Sequence, residues 1–184
     1  NTLEPLCTLL QKYNTVPIPG QTLSDGEYIL SDEILKKYHV FKEPQKISIR
    51  GKALIRMCGK DIDISGFDEG IEFTVSELSK IECVQLLATT FMTIENRTSY
   101  LRYKKENTVT FYLGGYANRD QRDFIRKIYE SNPSVTYLHF GDIDAGGFWI
   151  HHHLCQVTGV PFGMFHMSFE ELMEPDYGKC QHPL

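Results

Sequence analysis

Two aspartates one residue apart are the side chains in this chain best placed to do chemistry. Asp142 and Asp144 lie in the segment Phe-Gly-Asp-Ile-Asp-Ala-Gly-Gly, residues 140–147. The apolar run before it, residues 135–140, predicts a buried strand, and the residues after it predict a helix. Two carboxylates at this spacing repel each other and are costly to desolvate, so such a pair usually holds a cation. Oxygen ligands alone favour a hard ion such as Mg²⁺ or Mn²⁺.

A third acid occupies an equivalent place earlier in the chain. Glu95 follows the apolar run 90–94 and precedes a segment with Thr and Ser near a helix start. Between the acids lie a β-rich run, residues 108–113, and a predicted helix, residues 118–130. Residues 162–167 predict a fourth strand. Strands that alternate with helices predict a mainly parallel sheet, so the three acids should meet at its carboxyl edge, where α/β proteins bind ligands.

These motifs, in this order, resemble the Toprim domain of topoisomerases, primases and related nucleases. That domain carries a glutamate after its first strand and an Asp-x-Asp after its third. The resemblance is closer to the carboxy-terminal Toprim domain of the Wadjet nuclease subunit JetD and its relatives, and it covers about the second half of the chain. The segments that carry it are residues 94–99 (IENRTS), 114–116 (GGY), 141–148 (GDIDAGGF) and 166–168 (HMS).

The resemblance implies a fold, a domain division and an activity. The fold would be α/β, a Rossmann-like Toprim domain with a mainly parallel four-stranded sheet and flanking helices, over residues 86–184. An amino-terminal α+β extension, residues 1–85, would pack on it. The implied activity is Mg²⁺- or Mn²⁺-dependent cleavage of double-stranded DNA, with Glu95, Asp142 and Asp144 as catalytic metal ligands. Asn96 and Arg97 would fix substrate phosphate near the metal.

The resemblance also implies a setting for this activity. The chain would belong to a cytoplasmic Wadjet-type plasmid defence system with SMC-like subunits as partners and no membrane association; a homodimer stays open. Activity could require domains or partners outside this chain. Two alternatives fit the same residues: an RNA-processing nuclease or phosphotransferase of the same fold, and a non-catalytic metal-binding module that docks DNA or a partner.

Other families with an Asp-x-Asp motif fit less well. A calcium loop starting at Asp142 would need an oxygen ligand where Gly146 stands and a glutamate where His153 stands. A haloacid-dehalogenase motif would lie on the first strand, with Thr or Val after it. A glycosyltransferase would leave Glu95 unexplained. The remaining reading is a pair of solvated acids in a glycine-rich turn.

Composition and charge are compatible with a DNA-binding globular protein, because the positive charge is concentrated in one segment of an acidic chain. The chain has 184 residues with 41% hydrophobic content and a net charge of −5, and it contains no apolar run long enough for a membrane span or a signal peptide. Residues 97–127 carry eight Lys/Arg and three acids, which makes this segment +5 and the remainder −10. Arg119, Arg122 and Arg126 share one face of the predicted helix and are candidates for phosphate contact.

The remaining features predict less. Residues 3–13 and 31–38 predict helices, and residues 46–75 predict short antiparallel strands against one flank of the sheet. The chain does not begin with Met, which suggests a fragment or a processed chain. Five cysteines without a Cys-x-x-Cys pair indicate reduced thiols. His151, His152 and His153, even with Cys155, Cys180 and His182, match no zinc-finger spacing. Tyr100, Tyr103, Tyr112 and Tyr116 are weaker nucleophile candidates than a metal-activated water.

Overall fold

The computed structural model describes residues 44–173 and shows a mixed α/β fold, which confirms the predicted class. The strands are β1 (Lys46–Arg50), β2 (Ala53–Met57), β3 (Lys60–Asp63), β4 (Ile71–Thr74), β5 (Ile81–Leu86), β6 (Thr90–Ile94), β7 (Thr108–Tyr112), β8 (Thr136–Phe140) and β9 (Gly163–Met164). The helices are α1 (Arg97–Arg102), α2 (Arg119–Ser131), α3 (Ala145–Thr158) and α4 (Phe169–Leu172), with a 3₁₀-helix (Val75–Lys80) between β4 and β5.

A six-stranded sheet in the order β4-β1-β7-β6-β8-β9 organises the fold. β7, β6, β8 and β9 are parallel neighbours, whereas β1 runs antiparallel to both β4 and β7. The strands that precede the three acids are therefore β6 and β8, which are adjacent at the centre of the sheet. Their carboxyl ends lie at one edge because both run in the same direction.

Strand β6 is central because its residues are apolar or β-branched and can be buried on both faces. Phe91 packs on one face with Phe111, Tyr137 and Phe162, under α2 and α3. Met92 and Ile94 face the other side, where α1 contributes Tyr100. The alternation of side chains along a strand thus gives the sheet two separate cores.

The second sheet, β3-β2-β5, is joined to α2 by hydrogen bonds from Lys127 and from the asparagine at the end of that helix. Asn132 accepts a hydrogen bond from the Leu86 N–H and donates to the carbonyls of Val84 and Ile128. It is 7% exposed, so the loss of any of these bonds would leave a buried polar group unsatisfied. This sheet therefore belongs to the same core as α2 without joining the main sheet.

Capping residues fix where the helices that follow β7 and β8 begin. Asn118 and Gln121 form a reciprocal capping box at the start of α2. At the start of α3, Asp144 Oδ1 accepts from the Gly147 N–H at 2.8 Å. One of the three acids is therefore also the cap of α3.

Several sequence predictions have a clear outcome in this structure. The strands predicted at residues 90–94, 108–113 and 135–140 are present, as β6, β7 and β8. The predicted fourth strand is only two residues long, because the chain turns at His166, whose φ is 49°. Strand β5 was not predicted. Residues 46–75 do form antiparallel strands, and β1 and β4 extend the main sheet.

The proposed domain boundary after residue 85 stays a prediction, although β1 and β4 from before it pair into the sheet that contains β6 to β9. The helices predicted at residues 3–13 and 31–38 lie outside the described residues. Over residues 44–173, no helix combines the length and the apolar character that a membrane crossing requires.

We expect Gly147→Ala to disrupt the turn between β8 and α3. A Cβ on Gly147 would lie 2.1 Å from the Asp142 carbonyl oxygen, a backbone atom that cannot move aside locally. The matched control is Gly146→Ala, whose Cβ meets only the Asp144 carboxylate, at 3.2 Å. Urea denaturation should show Gly147→Ala destabilised by about 2 kcal/mol or more, and Gly146→Ala within about 1 kcal/mol of the parent because alanine favours helix. Equal stability of the two variants would contradict this account.

Candidate active site

The register between β6 and β8 places Glu95 beside the turn that carries the aspartates. Ile94 pairs with Phe140, and the Glu95 N–H donates to the Phe140 carbonyl at 2.9 Å. Gly141 directly follows the end of β8, and a Cβ there would lie 2.7 Å from Glu95 Oε2. Glu95 therefore occupies the space that any other residue at position 141 would fill.

The Glu95 carboxyl lies in surroundings that oppose its ionisation. Its Oε2 atom is buried and has no hydrogen-bond partner. Burial, followed by the charges of Asp142 and Asp144, raises the pKa of Glu95 above its usual value, and the Asp142 backbone N–H acts in the opposite direction. Both aspartates of the turn therefore act electrostatically on Glu95. Such raised carboxyl pKa values are a feature of groups that exchange protons or bind cations.

The two aspartates have different surroundings although both are exposed. Asp142 lines an open groove beside the sheet edge. Asp144 turns toward α3 and caps it through Gly147. An alanine at position 144 would therefore remove a cap, typically worth about 1 kcal/mol, as well as a charge. Asparagine keeps the acceptor and is the cleaner substitution.

A buried histidine behind Glu95 was not predicted as part of the site. His139 on β8 is 0% exposed, and its Nδ1 lies 2.9 Å from Thr93 Oγ1. The Nε2 atom of His139 has no hydrogen-bond partner. A Cβ built at Gly141 would lie 2.9 Å from this Nε2 and 2.7 Å from Glu95 Oε2. Two unsatisfied buried polar atoms therefore flank one glycine. The signal in the sequence was a histidine in an otherwise apolar strand.

Burial, followed by the neighbouring His151, lowers the pKa of His139 to about 4. The ring of His139 is thus neutral at physiological pH. Because the His151 ring centroid is only 5.8 Å away, a charge on one ring opposes a charge on the other. A neutral His139 can accept or donate one hydrogen bond at Nε2.

The donor set suits a hard divalent cation, although the side chains are not gathered into a finished site. Within residues 44–173, no three His, Cys, Asp or Glu side chains lie close enough together to hold a metal ion. Mg²⁺ is commonly held by one or two carboxylates, with water in its other positions. The unpartnered Oε2 of Glu95 and the adjacent carboxylates of the turn fit that requirement.

A cationic groove adjoins the acidic turn. It has a volume of about 580 Å³ and is bordered by residues 102–105, by the turn after β8 and by the segment after β9. Arg102, Lys104 and Lys105 lie on its border near Asp142. These three were counted in the basic segment of the sequence but were not predicted as site residues.

The predicted phosphate-binding residues near Glu95 have structural partners. Asn96 accepts hydrogen bonds from the N–H groups of Thr98 and Ser99 and thereby caps α1. Arg97 forms an ion pair with Glu72 at 3.4 Å and lies over the Tyr112 ring. Neither lines the groove that contains Asp142. Their contact with phosphate stays a prediction.

The arginines of α2 lie apart from the groove. Asp123 forms ion pairs with Arg126 at 3.0 Å and with Arg119 at 3.9 Å. Arg126 also donates to the Val157 carbonyl, about 20 Å along α3 from Asp144 at about 1.5 Å per residue. The structure thus does not bring Arg126 to the acids, and Arg122 is not among the groove residues.

The remaining histidines point to different neighbours. His151 Nε2 lies 2.7 Å from the Phe162 carbonyl oxygen, His152 contacts Trp149 and His153 contacts Tyr116. Cys180 and His182 lie outside the described residues.

Burial raises the pKa values of Tyr100 and Tyr103, which disfavours either as a phenolate nucleophile.

Comparison with known proteins assigns the chain to a family. The family model described as "Wadjet protein JetD, C-terminal" matches residues 49–183. The chain belongs to this family. A relative, Wadjet protein JetD of Bacillus cereus (strain Q1), is 30% identical over 145 residues, which cover 77% of this chain and 36% of the relative. The chain thus spans about a third of the JetD relative that it matches, and the family match includes both β6 and the turn after β8.

We expect Glu95→Gln to stabilise the metal-free protein at neutral pH. Because the pKa of Glu95 is raised by folding, ionised Glu95 destabilises the folded protein once the pH exceeds the pKa that Glu95 has in the unfolded chain. Glutamine has the same shape and no charge, so its advantage in Tm should be absent near pH 4 and should grow as the pH rises. The control is Glu106→Gln, at an exposed position, which should show little difference at any pH. A parent protein more stable than Glu95→Gln at pH 8 would contradict the assigned electrostatics.

His139 should make the protein acid-sensitive. Its pKa falls from 6.5 to about 4 on folding, so the unfolded chain binds a proton that the folded chain does not, and stability is lost as pH falls through this window. The loss is up to about 3 kcal/mol. His139→Gln, which cannot titrate, should flatten the stability curve between pH 6.5 and 4, measured by urea denaturation. The exposed control His152→Gln should keep the parent slope; a slope unchanged in His139→Gln would refute the assignment.

Proposed function

We propose that this chain is the Toprim-type nuclease module of a Wadjet plasmid defence system and hydrolyses phosphodiester bonds in double-stranded DNA with Mg²⁺ or Mn²⁺. One observation carries the proposal: Glu95 and the Asp142–Asp144 turn follow adjacent parallel strands and meet at the same sheet edge. The parallel order β7-β6-β8-β9, with an acid after β6 and an Asp-x-Asp after β8, agrees with a Toprim arrangement. Membership of the JetD carboxy-terminal family supports the biological setting.

In this proposal the three acids hold the metal and Glu95 also handles a proton. Asp142, Asp144 and Glu95 would bind the ion, which supplies positive charge for the phosphoryl oxygens. Glu95 is partly buried and its pKa is raised, so it can exchange a proton with the attacking water or the leaving oxygen. The unpartnered Nε2 of His139 and the unpartnered Oε2 of Glu95 both lie beside Gly141, with no hydrogen bond between them.

A non-catalytic nucleic-acid docking module is the second candidate function. It is favoured by the lack, within the described part of the chain, of three side chains already close enough to hold a metal. In that case the acidic turn would have no role in scission and the cationic groove would account for binding. The two candidates differ in whether loss of one carboxylate affects cleavage.

Asp142→Asn and Asp144→Asn should abolish DNA cleavage by the complete protein with its Wadjet partners. We expect the rate with Mn²⁺ to fall by more than about 100-fold, since even the residues that orient metal ligands are worth about 10- to 100-fold. The matched control is Asp63→Asn, which removes a charge on β3 but keeps an acceptor for the Ser65 N–H, as Asp144→Asn does for Gly147. It should cleave at the parent rate.

The readout is conversion of plasmid DNA to nicked and linear forms, with RNA and duplex DNA offered in parallel. Cleavage by the aspartate variants at the parent rate would refute the metal-ligand role. Cleavage of RNA but not DNA would favour the RNA-processing alternative. Absence of cleavage in every protein, with binding retained, would favour the docking module. Thermal stabilisation by Mn²⁺ in the parent and not in the variants would report binding independently of activity.

A further inference from the structure

The groove beside Asp142 has a size suited to a small organic ligand. Its volume of about 580 Å³ lies within the range of about 300–1,000 Å³ typical of such sites. One border is the segment that follows α1, and the opposite border is the segment that follows β9. Asp142 stands at the groove, so a ligand bound there would be next to the acidic turn.

The border formed by residues 102–105 carries positive charge that the described residues do not neutralise. Lys104 forms an ion pair with Glu69 at 2.5 Å. In the part of the chain that the structure describes, the side chains of Arg102 and Lys105 form neither an ion pair nor a hydrogen bond, whereas Arg97, Arg119 and Arg126 are each in an ion pair. The acid across the groove, Glu171, is engaged by His166 and by the Ser168 N–H. The border formed by residues 102–105 is therefore complementary to an anion, while Asp142 lies elsewhere on the groove.

Aromatic rings line the same groove. The ring centroids of Tyr103, Phe140 and Phe165 lie 5.7–6.4 Å from one another, and the His166 ring is 4.2 Å from Phe165. The rings of Tyr103, Phe140 and Phe165 are partly buried, the His166 ring is exposed, and all four border the open volume. Aromatic faces stack nucleic-acid bases, at about 1–3 kcal/mol per base, and they do so where cations hold the phosphates.

The rings are held in place by contacts to the backbone. Arg50, only 6% exposed, donates to the carbonyls of Tyr100 and Tyr103. The Phe165 N–H donates to the His139 carbonyl at 2.8 Å. The positions of Tyr103 and Phe165 are therefore set before a ligand arrives, which lowers the entropic cost of binding.

We propose that this groove binds one nucleotide of an unpaired nucleic-acid strand, with its phosphate on Arg102 and Lys105 and its base against Tyr103 and Phe165. Bases inside a duplex are already stacked and cannot reach these rings. The inference rests on the proposed nuclease function and adds that a duplex substrate is opened next to Asp142. It assigns the strand path to the segment after α1, instead of to the arginines of α2.

The test measures binding without cleavage. The full chain, in EDTA, is titrated with a fluorescein-labelled 12-nucleotide single strand and with the corresponding duplex at several salt concentrations, and anisotropy is recorded. The parent should bind the single strand more tightly. The double variant Arg102→Ala/Lys105→Ala should weaken this binding at least about tenfold and reduce the log–log salt slope by about 1.4, since each contact with a single strand contributes about 0.7.

Two further variants separate the base contact from charge. Phe165→Leu should weaken single-strand binding about fivefold or more, as expected for one lost stacking contact, with an unchanged salt slope. The control Lys60→Ala/Lys80→Ala removes two cations of the β3-β2-β5 region and should bind like the parent. If Phe165→Leu does not fold, Arg102→Ala/Lys105→Ala still tests the phosphate contact, because both residues are exposed. Tyr103→Leu then takes the place of Phe165→Leu as the test of base stacking.

Three outcomes would overturn the proposal: parent-like binding by Arg102→Ala/Lys105→Ala, equal losses for duplex and single strand, or a larger loss in Arg119→Ala/Arg122→Ala. The last would place the strand along α2. Because EDTA removes any metal contribution, a failed nuclease function would leave these binding results intact. Conversely, Asp142-dependent cleavage without groove-dependent binding would reject the groove alone.

Discussion

The close approach of two parallel strands at Gly141 is the constraint on which the site depends. Glu95 Oε2 and His139 Nε2 both lie within 3 Å of the place where a side chain at position 141 would begin. A residue with a Cβ would displace one of them. The Glu95 carboxyl can therefore lie against the end of β8, close enough to be influenced by the charges of both aspartates, only because a glycine follows that strand. The same spacing leaves both polar atoms without partners.

Unsatisfied buried groups usually cost stability, and here they are concentrated at one sheet edge. The protein would be more stable if Glu95 carried no charge. Because burial keeps His139 neutral, the folded protein loses stability in acid. Over residues 44–173 the other buried side-chain atom without a partner is the Tyr100 hydroxyl, whereas buried Asn132 and Gln121 are hydrogen-bonded. Buried polar groups that lower stability at one place, in a protein that is otherwise well packed, are expected at a binding or catalytic site.

The sequence was most informative where chemistry and local pattern coincide. The alternation of strands and helices predicts β6, β7 and β8 because their apolar and β-branched residues are buried in a parallel sheet, and the acids after β6 and β8 follow from the same pattern. The pairing of β1 with β7 was not predictable, since it joins residues about 60 apart in the chain. In the sequence, Arg102, Lys104 and Lys105 could not be distinguished from the other basic residues, because only the folded structure shows that they border the groove. His139 was missed because a histidine in an apolar strand is commonly a packed core residue.

Arg50 links the sheet edge to the segment that borders the groove. It belongs to β1, and it binds the backbone carbonyls at the end of α1, where positive charge also complements the helix. Local opening of β1 therefore breaks the support of residues 100–103, and the two regions should exchange their amide hydrogens as one cooperative unit. By thermodynamic reciprocity, anything that holds residues 102–105 in place also lowers the population of opened β1, more than 50 residues earlier in the chain.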